Sequence, residues 1–207
     1  MPDGTIAPGT TVNLAGPDGV GLLATVEIGI RPSTVTVDNF TVNGVGGAFG
    51  LAAETGSSIP ATNSTLVLGD PTDSGAALYL SSLNDYGFFD GGTINFIDST
   101  ATSIAPNIAG VFAQYGIGTG TPNVLNISGS SVISGSQAVG MDAESTNLNA
   151  TITKNSVVTG SNGTLIQVRD GGSGPSVVNL EEDSSSIMTG AALTEAGSTL
   201  NMTPPPG

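Results

Sequence analysis

The chain has 207 residues, the length of one or two domains; 38% are apolar, only 10% are charged, and 17 acidic against 3 basic side chains give a net charge of −14. Such a balance repels phosphate backbones and anionic lipid, so nucleic acid and membrane surfaces are set aside as partners. With no Cys and no His, disulfides, thiolate metal sites and a His-activated Ser are excluded, and no apolar run nears the roughly 18 to 20 residues of a membrane-spanning helix.

Good helix formers are scarce and β-branched residues abundant, which predicts an all-β chain. Residues 1–18, with Pro2, Pro8 and Pro17 among glycines, are expected to form an irregular lead-in or a partial coil. Met1-Pro2-Asp3-Gly4 lacks the basic and apolar regions of a signal peptide. From Gly19 a three-beat pattern starts: Val20-Gly21-Leu22-Leu23-Ala24-Thr25-Val26, then Thr34-Val35-Thr36-Val37, then Phe40-Thr41-Val42-Asn43-Gly44. In the second coil Ala48-Phe49-Gly50-Leu51-Ala52-Ala53 and Thr65-Leu66-Val67-Leu68 read as strands, separated by a Ser, Pro and Thr-rich corner over residues 56–64 and closing near Gly75. The third coil, the longest, uses Ala76-Ala77-Leu78-Tyr79-Leu80 and Thr93-Ile94-Asn95-Phe96-Ile97 and closes at Gly110. Its excess, residues 84–92 and 99–107, is expected to project as corner loops, the usual place for binding in a repeat fold.

From Val111-Phe112-Ala113-Gln114-Tyr115 onward the coils tighten. One closing phrase occurs three times, as Ser131-Val132-Ile133-Ser134-Gly135, Ser156-Val157-Val158-Thr159-Gly160 and Ser186-Ile187-Met188-Thr189-Gly190, with glycines 25 and 30 residues apart. Before each lies a second beat: Val124-Leu125-Asn126-Ile127, Leu148-Asn149-Ala150-Thr151-Ile152 and Val177-Val178-Asn179-Leu180. Alternation puts either Val124 with Asn126 or Leu125 with Ile127 on one face. A partial coil, Ala191-Ala192-Leu193 and Ser198-Thr199-Leu200-Asn201-Met202, ends the pattern, and the prolines of residues 203–207 cannot continue a ladder.

Closing glycines at 44, 75, 110, 135, 160 and 190 mark turns of about 25 to 35 residues, a period that signals a solenoid. The predicted fold is a right-handed parallel β-helix of about six to seven coils, three short strands per coil, forming one domain over residues 19–202. A sandwich would need hairpins at short intervals, whereas the three beats keep their order from turn to turn. Open coil edges are expected to favour end-to-end or side-by-side self-association.

The Ser-x-[Val/Ile/Met]-[Ser/Thr]-Gly closings, beats such as Ala138-Val139-Gly140-Met141-Asp142-Ala143, and the lack of Cys resemble the passenger domain of a pertactin-like autotransporter, a family of bacterial surface β-helices. The likeness runs over most of residues 19–202. It implies a pectin-lyase-like coil, export through an outer-membrane barrel not present in this chain, and display at the bacterial cell surface or outside the cell. An adhesin or stalk with a host-cell or neighbouring-cell protein or glycan as partner would fit that setting. The chain has no signal peptide, barrel or autochaperone region, so the resemblance makes it an internal fragment. Arg169-Asp170-Gly171 is not the adhesive tripeptide of that family, because the order of residues differs.

No catalytic residue, cofactor site or metal site is assigned from the sequence. Carboxylate pairs of the kind a carbohydrate-active β-helix enzyme would use are Asp70 with Asp73, Asp85 with Asp90, Asp142 with Glu144, and Glu181-Glu182-Asp183, each also readable as a solvated corner. Asp142 and Arg169 follow the first beat in adjacent coils and are expected to form a cross-coil ion pair. Gly171-Gly172-Ser173-Gly174-Pro175-Ser176 partly matches a calcium-binding nonapeptide, with Ser176 where the ligating Asp belongs. Most of the six Asn-x-Ser/Thr triplets, at Asn39, Asn63, Asn126, Asn149, Asn162 and Asn201, need no glycan. Asn126, Asn149 and Asn179 are expected at one beat, laddering from coil to coil. Ligand contact is assigned to the aromatic loop, with Tyr86, Phe88 and Phe89 between Asp85 and Asp90, since exposed aromatic rings stack on sugars or anchor protein partners.

Overall fold

The computed structural model describes residues 3–15, 19–25, 32–44, 47–69, 75–82, 90–104, 108–115, 120–135 and 139–204. The first coil is β1 (Gly4–Thr5), β2 (Thr11–Asn13) and β3 (Gly19–Ala24); the second is β4 (Val35–Asp38), β5 (Thr41–Gly44) and β6 (Gly47–Glu54). Next come β7 (Ser58–Thr62), β8 (Thr65–Leu68) and β9 (Gly75–Ser81), then β10 (Thr93–Ile97), β11 (Thr100–Ser103) and β12 (Ile108–Gln114). The fifth coil is β13 (Asn123–Ser128), β14 (Val132–Gly135) and β15 (Met141–Glu144). In the last coils two strands merge: β16 (Asn147–Ile152) leads into β17 (Val157–Arg169), β18 (Val177–Glu182) into β19 (Ile187–Thr194), and β20 (Thr199–Thr203) opens an eighth turn.

Strands β1, β4, β7, β10, β13, β16, β18 and β20 stack as one sheet, face A. Face B carries β2, β5, β8, β11, β14 and the first halves of β17 and β19, while face C carries β3, β6, β9, β12, β15 and the second halves. Pairing is parallel on all three faces. The described residues thus form a parallel β-helix of seven coils and the first strand of another.

Alternation along each strand builds the core. On face A Ile59, Ile94, Leu125, Ala150 and Leu180 stand above one another and are fully buried, which settles the fifth coil in favour of Leu125 and Ile127 inside, Val124 and Asn126 outside. Val42, Leu66, Ala101, Ile133 and Val158 do the same on face B, and Leu51, Leu78, Val111, Met141 and Ile166 on face C. Burial of each larger aliphatic side chain contributes about 1.5 to 3 kcal/mol, and stacking makes one continuous core of them.

The corners explain the closing phrase. Backbone N–H groups of Phe40, Ser64 and Ser99 donate to the Oγ of Ser64, Ser99 and Ser131 in the next coil, 24, 35 and 32 residues on. Those hydroxyls in turn donate to carbonyls of their own turn, Thr62, Ile97 and Ser128. A Ser at this position therefore pairs polar groups that the bend takes out of the sheet ladder. Left-handed residues turn the chain just before it: Asn39, Asn63, Asp98, Ser130, Lys154 and Asn155 all have positive φ. Asn and Asp tolerate that conformation better than most side chains.

Several expectations need correction. Residues 58–62, taken as corner, are strand β7 of face A, with Pro60 in the ladder; residues 100–103, taken as projecting loop, are strand β11 of face B. The glycines are not one column either. Leu68 and Ser103 occupy the place of Gly44 and Gly135, whereas Gly75 begins β9 and Gly110 lies within β12. Residues 4–13 of the lead-in supply β1 and β2, which bond to β4 and β5.

Candidate functional site

The outer side of face C carries the densest chemistry among the described residues. Ala52, Tyr79, Phe112, Asp142 and Gln167 form one outward column, and Glu54, Ser81, Gln114, Glu144 and Arg169 the next. The Tyr79 ring sits between Phe49, 4.3 Å between centroids, and Phe112, 5.9 Å away. Although it points away from the core, Tyr79 is only 6% exposed, and its phenol oxygen accepts a hydrogen bond from the Gln114 side-chain amide. Burial pushes the Tyr79 hydroxyl above its ordinary pKa and does the same to the Glu54 carboxyl, against a hydrogen bond from Thr25.

Further along the same face the aromatics give way to charge. Arg169 Nε donates to Asp142 Oδ1 at 3.0 Å and Nη2 to Oδ2 at 2.9 Å, while Nη2 also meets Glu144 Oε2 at 2.5 Å. The expected cross-coil ion pair is there, and Glu144 makes it a triplet. The hydrogen bonds to Asp142 hold the guanidinium above its ordinary pKa. With both Asp142 oxygens committed to Arg169, that carboxylate is a structural clamp rather than a free acid or base.

The glycine-rich turn after Arg169 is closed by hydrogen bonds from its own backbone. Asp170 accepts the N–H of Gly172 at 2.7 Å and of Gly174 at 3.0 Å, and Ser145 Oγ accepts the N–H of Gly171 at 2.8 Å. Ser176 is turned inward, fully buried, and donates to the Arg169 carbonyl at 2.7 Å. Among the described residues no cluster of three or more acidic side chains could hold a metal ion.

Of the ligand-contact residues assigned from sequence, Asp85, Tyr86, Phe88 and Phe89 lie outside the described residues, as do Asp70 and Asp73. Asp90 is exposed at the corner between faces C and A, where it accepts from the Thr121 hydroxyl at 3.1 Å. The acidic run is divided by the strand end. Glu181 points out from face A, whereas Asp183 caps the following turn, accepting from the Lys154 backbone N–H at 2.7 Å and from the hydroxyls of Ser185 and Ser186 at 2.8 Å. Those donors, the Lys154 N–H first, hold the Asp183 carboxyl well below the ordinary carboxylate range.

Asparagine ladders run along the outside of face A, but in two separate columns. Asn126 bonds to Asn95, whereas Asn179 bonds to Asn149 and Asn201 to Asn179, each at 2.8 to 2.9 Å. Asn126 stands opposite Thr151 and Asn149 opposite Val124, so the expectation of one shared beat fails by two residues. Beside the second ladder lies a groove of about 320 Å³ lined by Asn149, Ala150, Thr151, Asn179, Glu181 and Thr203. The sequence points to a ladder at these asparagines without fixing its register, and it carries no sign of the ring contacts of Tyr79 with Phe49 and Phe112, which stand one unequal coil apart. Comparison with protein-family models, with curated proteins and with solved structures gives no match.

Proposed function

We propose that the chain is a segment of a bacterial surface-displayed, autotransporter-like passenger that acts as a stalk or adhesin and presents its corners and outer faces to a protein or glycan on a host or neighbouring cell. The observation that carries this is the continuous stack of coils whose unequal lengths are absorbed at the corners while faces A and B keep their register. A rod of that kind needs no disulfide for rigidity and can vary its corners without disturbing its core. The strongly acidic surface suits a protein held in solvent, away from anionic lipid.

The test is protease and antibody accessibility on intact source cells, together with binding of the purified chain to target cells. Accessibility on intact cells, and loss of cell binding after deletion of residues 85–90 with an unchanged far-ultraviolet β signal, are the expected results. A chain reached only after lysis would overturn display, and unchanged binding would remove that loop from the contact surface.

A carbohydrate-active enzyme is the second reading, favoured by Asp142 and Glu144 converging on one cation. It predicts that Glu144→Gln, at the carboxylate that meets Arg169 through Oε2, abolishes glycan cleavage, an activity the stalk reading does not require.

A further inference from the structure

We propose that the groove beside the Asn149, Asn179 and Asn201 ladder is a saccharide-binding subsite for a neutral glycan lying along the solenoid axis. The inference rests on the displayed-scaffold reading and gives it a ligand class. Asn179 is held at both ends: its Nδ2 donates to Asn149 Oδ1 at 2.9 Å and its Oδ1 accepts from Asn201 Nδ2 at 2.9 Å. A side-chain amide offers two donors and two acceptor lone pairs, so the ladder leaves Asn179 one N–H and one lone pair for a ligand. The ladder presents this pair at successive coils about 4.8 Å apart. A hydroxyl group both donates and accepts, so a row of sugar hydroxyls complements such a row of amides.

Two further features narrow the ligand. The ladder already fixes the amide planes, so little side-chain freedom is lost on binding. Thr151 and Thr203 add hydroxyls on the neighbouring column, where Glu181 stands between them in register. The Glu181 carboxylate, on a chain of net charge −14, opposes sulfated, sialylated or phosphorylated ligands and accepts hydrogen bonds from neutral hydroxyls. Among the described residues the groove presents no apolar side chain, since Ala150 turns its own to the core, and this leaves no pocket for the large side-chain anchor that a peptide partner needs.

The experiment is a titration of the isotope-labelled chain, followed by NMR, with maltotetraose, cellotetraose and mannotetraose as neutral probes and a heparin-derived tetrasaccharide as the anionic control. At least one neutral probe at millimolar concentration should shift the signals of Asn149, Thr151, Asn179, Glu181 and Thr203, and the anionic control should not. Asn179→Ala should weaken that binding roughly tenfold or more, and Glu181→Gln should weaken it without altering the ladder. Asn126→Ala, in the other ladder, should leave it unchanged. No shift with any neutral probe, equal shifts with the heparin fragment, or full binding by both groove variants would overturn the proposal. A failed titration with a chain still accessible on intact cells removes the groove alone; a successful titration with a chain confined inside the cell removes display alone.

Discussion

Arg169 grips Asp142 of the preceding coil through two near-parallel hydrogen bonds, Nε to Oδ1 at 3.0 Å and Nη2 to Oδ2 at 2.9 Å. The side chains are 31% and 15% exposed, so water screens the pair only in part. A double-mutant cycle of Arg169→Met and Asp142→Asn, read by urea denaturation, should give a coupling of about 1 kcal/mol, at the upper end for a partly exposed pair because the geometry is bidentate. It should shrink at high salt. A coupling of zero would make the contact incidental.

Stability at acid pH should depend on Asp183. Its folded-state pKa is depressed by the Lys154 N–H and the Ser185 and Ser186 hydroxyls, and Asp38 is depressed in the same way by Asn63 and Thr62. A depressed carboxylate adds stability that is fully present above its unfolded pKa of about 3.9 and is lost as pH falls through the folded value. The urea midpoint should therefore fall below about pH 4, and Asp183→Asn should flatten that fall while lowering the midpoint at neutral pH. Glu54 has the opposite sign, because burial raises its pKa. Its contribution worsens as pH rises past about 4.3, so Glu54→Gln should stabilise the chain at neutral pH and change nothing near pH 3.

Ser99 carries two hydrogen bonds in the corner ladder, accepting from the Ser64 N–H at 2.9 Å and donating to the Ile97 carbonyl at 2.7 Å. It is 2% exposed, so Ser99→Ala leaves a donor and an acceptor without water to replace the hydroxyl. The expected cost is about 2 kcal/mol in denaturant unfolding. Val132→Thr, on the outward side of the following coil, should stay within about 0.5 kcal/mol.

The coil order was legible from the repeated closing phrase, since residues 132–135, 157–160 and 187–189 do stack in register, whereas the alternation of residues 124–127 left two registers open until the burial of Leu125 and Ile127 decided between them. Strand β11 was not legible: Thr100-Ala101-Thr102-Ser103 sends only Ala101 and Ser103 inward, and so small a pair leaves no apolar alternation to detect. Pro60 hid β7, since a residue without an N–H normally marks the edge of a sheet. Site geometry was harder still. Asn126 and Asn149 share a tripeptide context but differ by two positions in register, a shift that only the cross-coil pairing of Val124 with Asn149 reveals. Unequal coils likewise separated Phe49, Tyr79 and Phe112 in sequence while the strands brought their rings together.

Gly160 and Gly163 flank the bend where β17 passes from face B to face C, and they should respond differently to the same substitution. A Cβ at Gly160 would run into the backbone carbonyl of Thr164, which belongs to the turn itself and cannot swing aside. Gly163 has φ of +91° but nothing within 4 Å of the added atom. Gly160→Ala should therefore force the corner open and cost about 3 kcal/mol or more, whereas Gly163→Ala meets only backbone strain of about 1 kcal/mol. Hydrogen exchange adds a second measure. If the corner is the fault line, Gly160→Ala should speed exchange in Val157–Arg169 and in the strands paired with it, β14 and β15, while the face A amides of β7 and β10 keep their protection. Equal destabilisation by the two variants would show that the bend tolerates a side chain at Gly160.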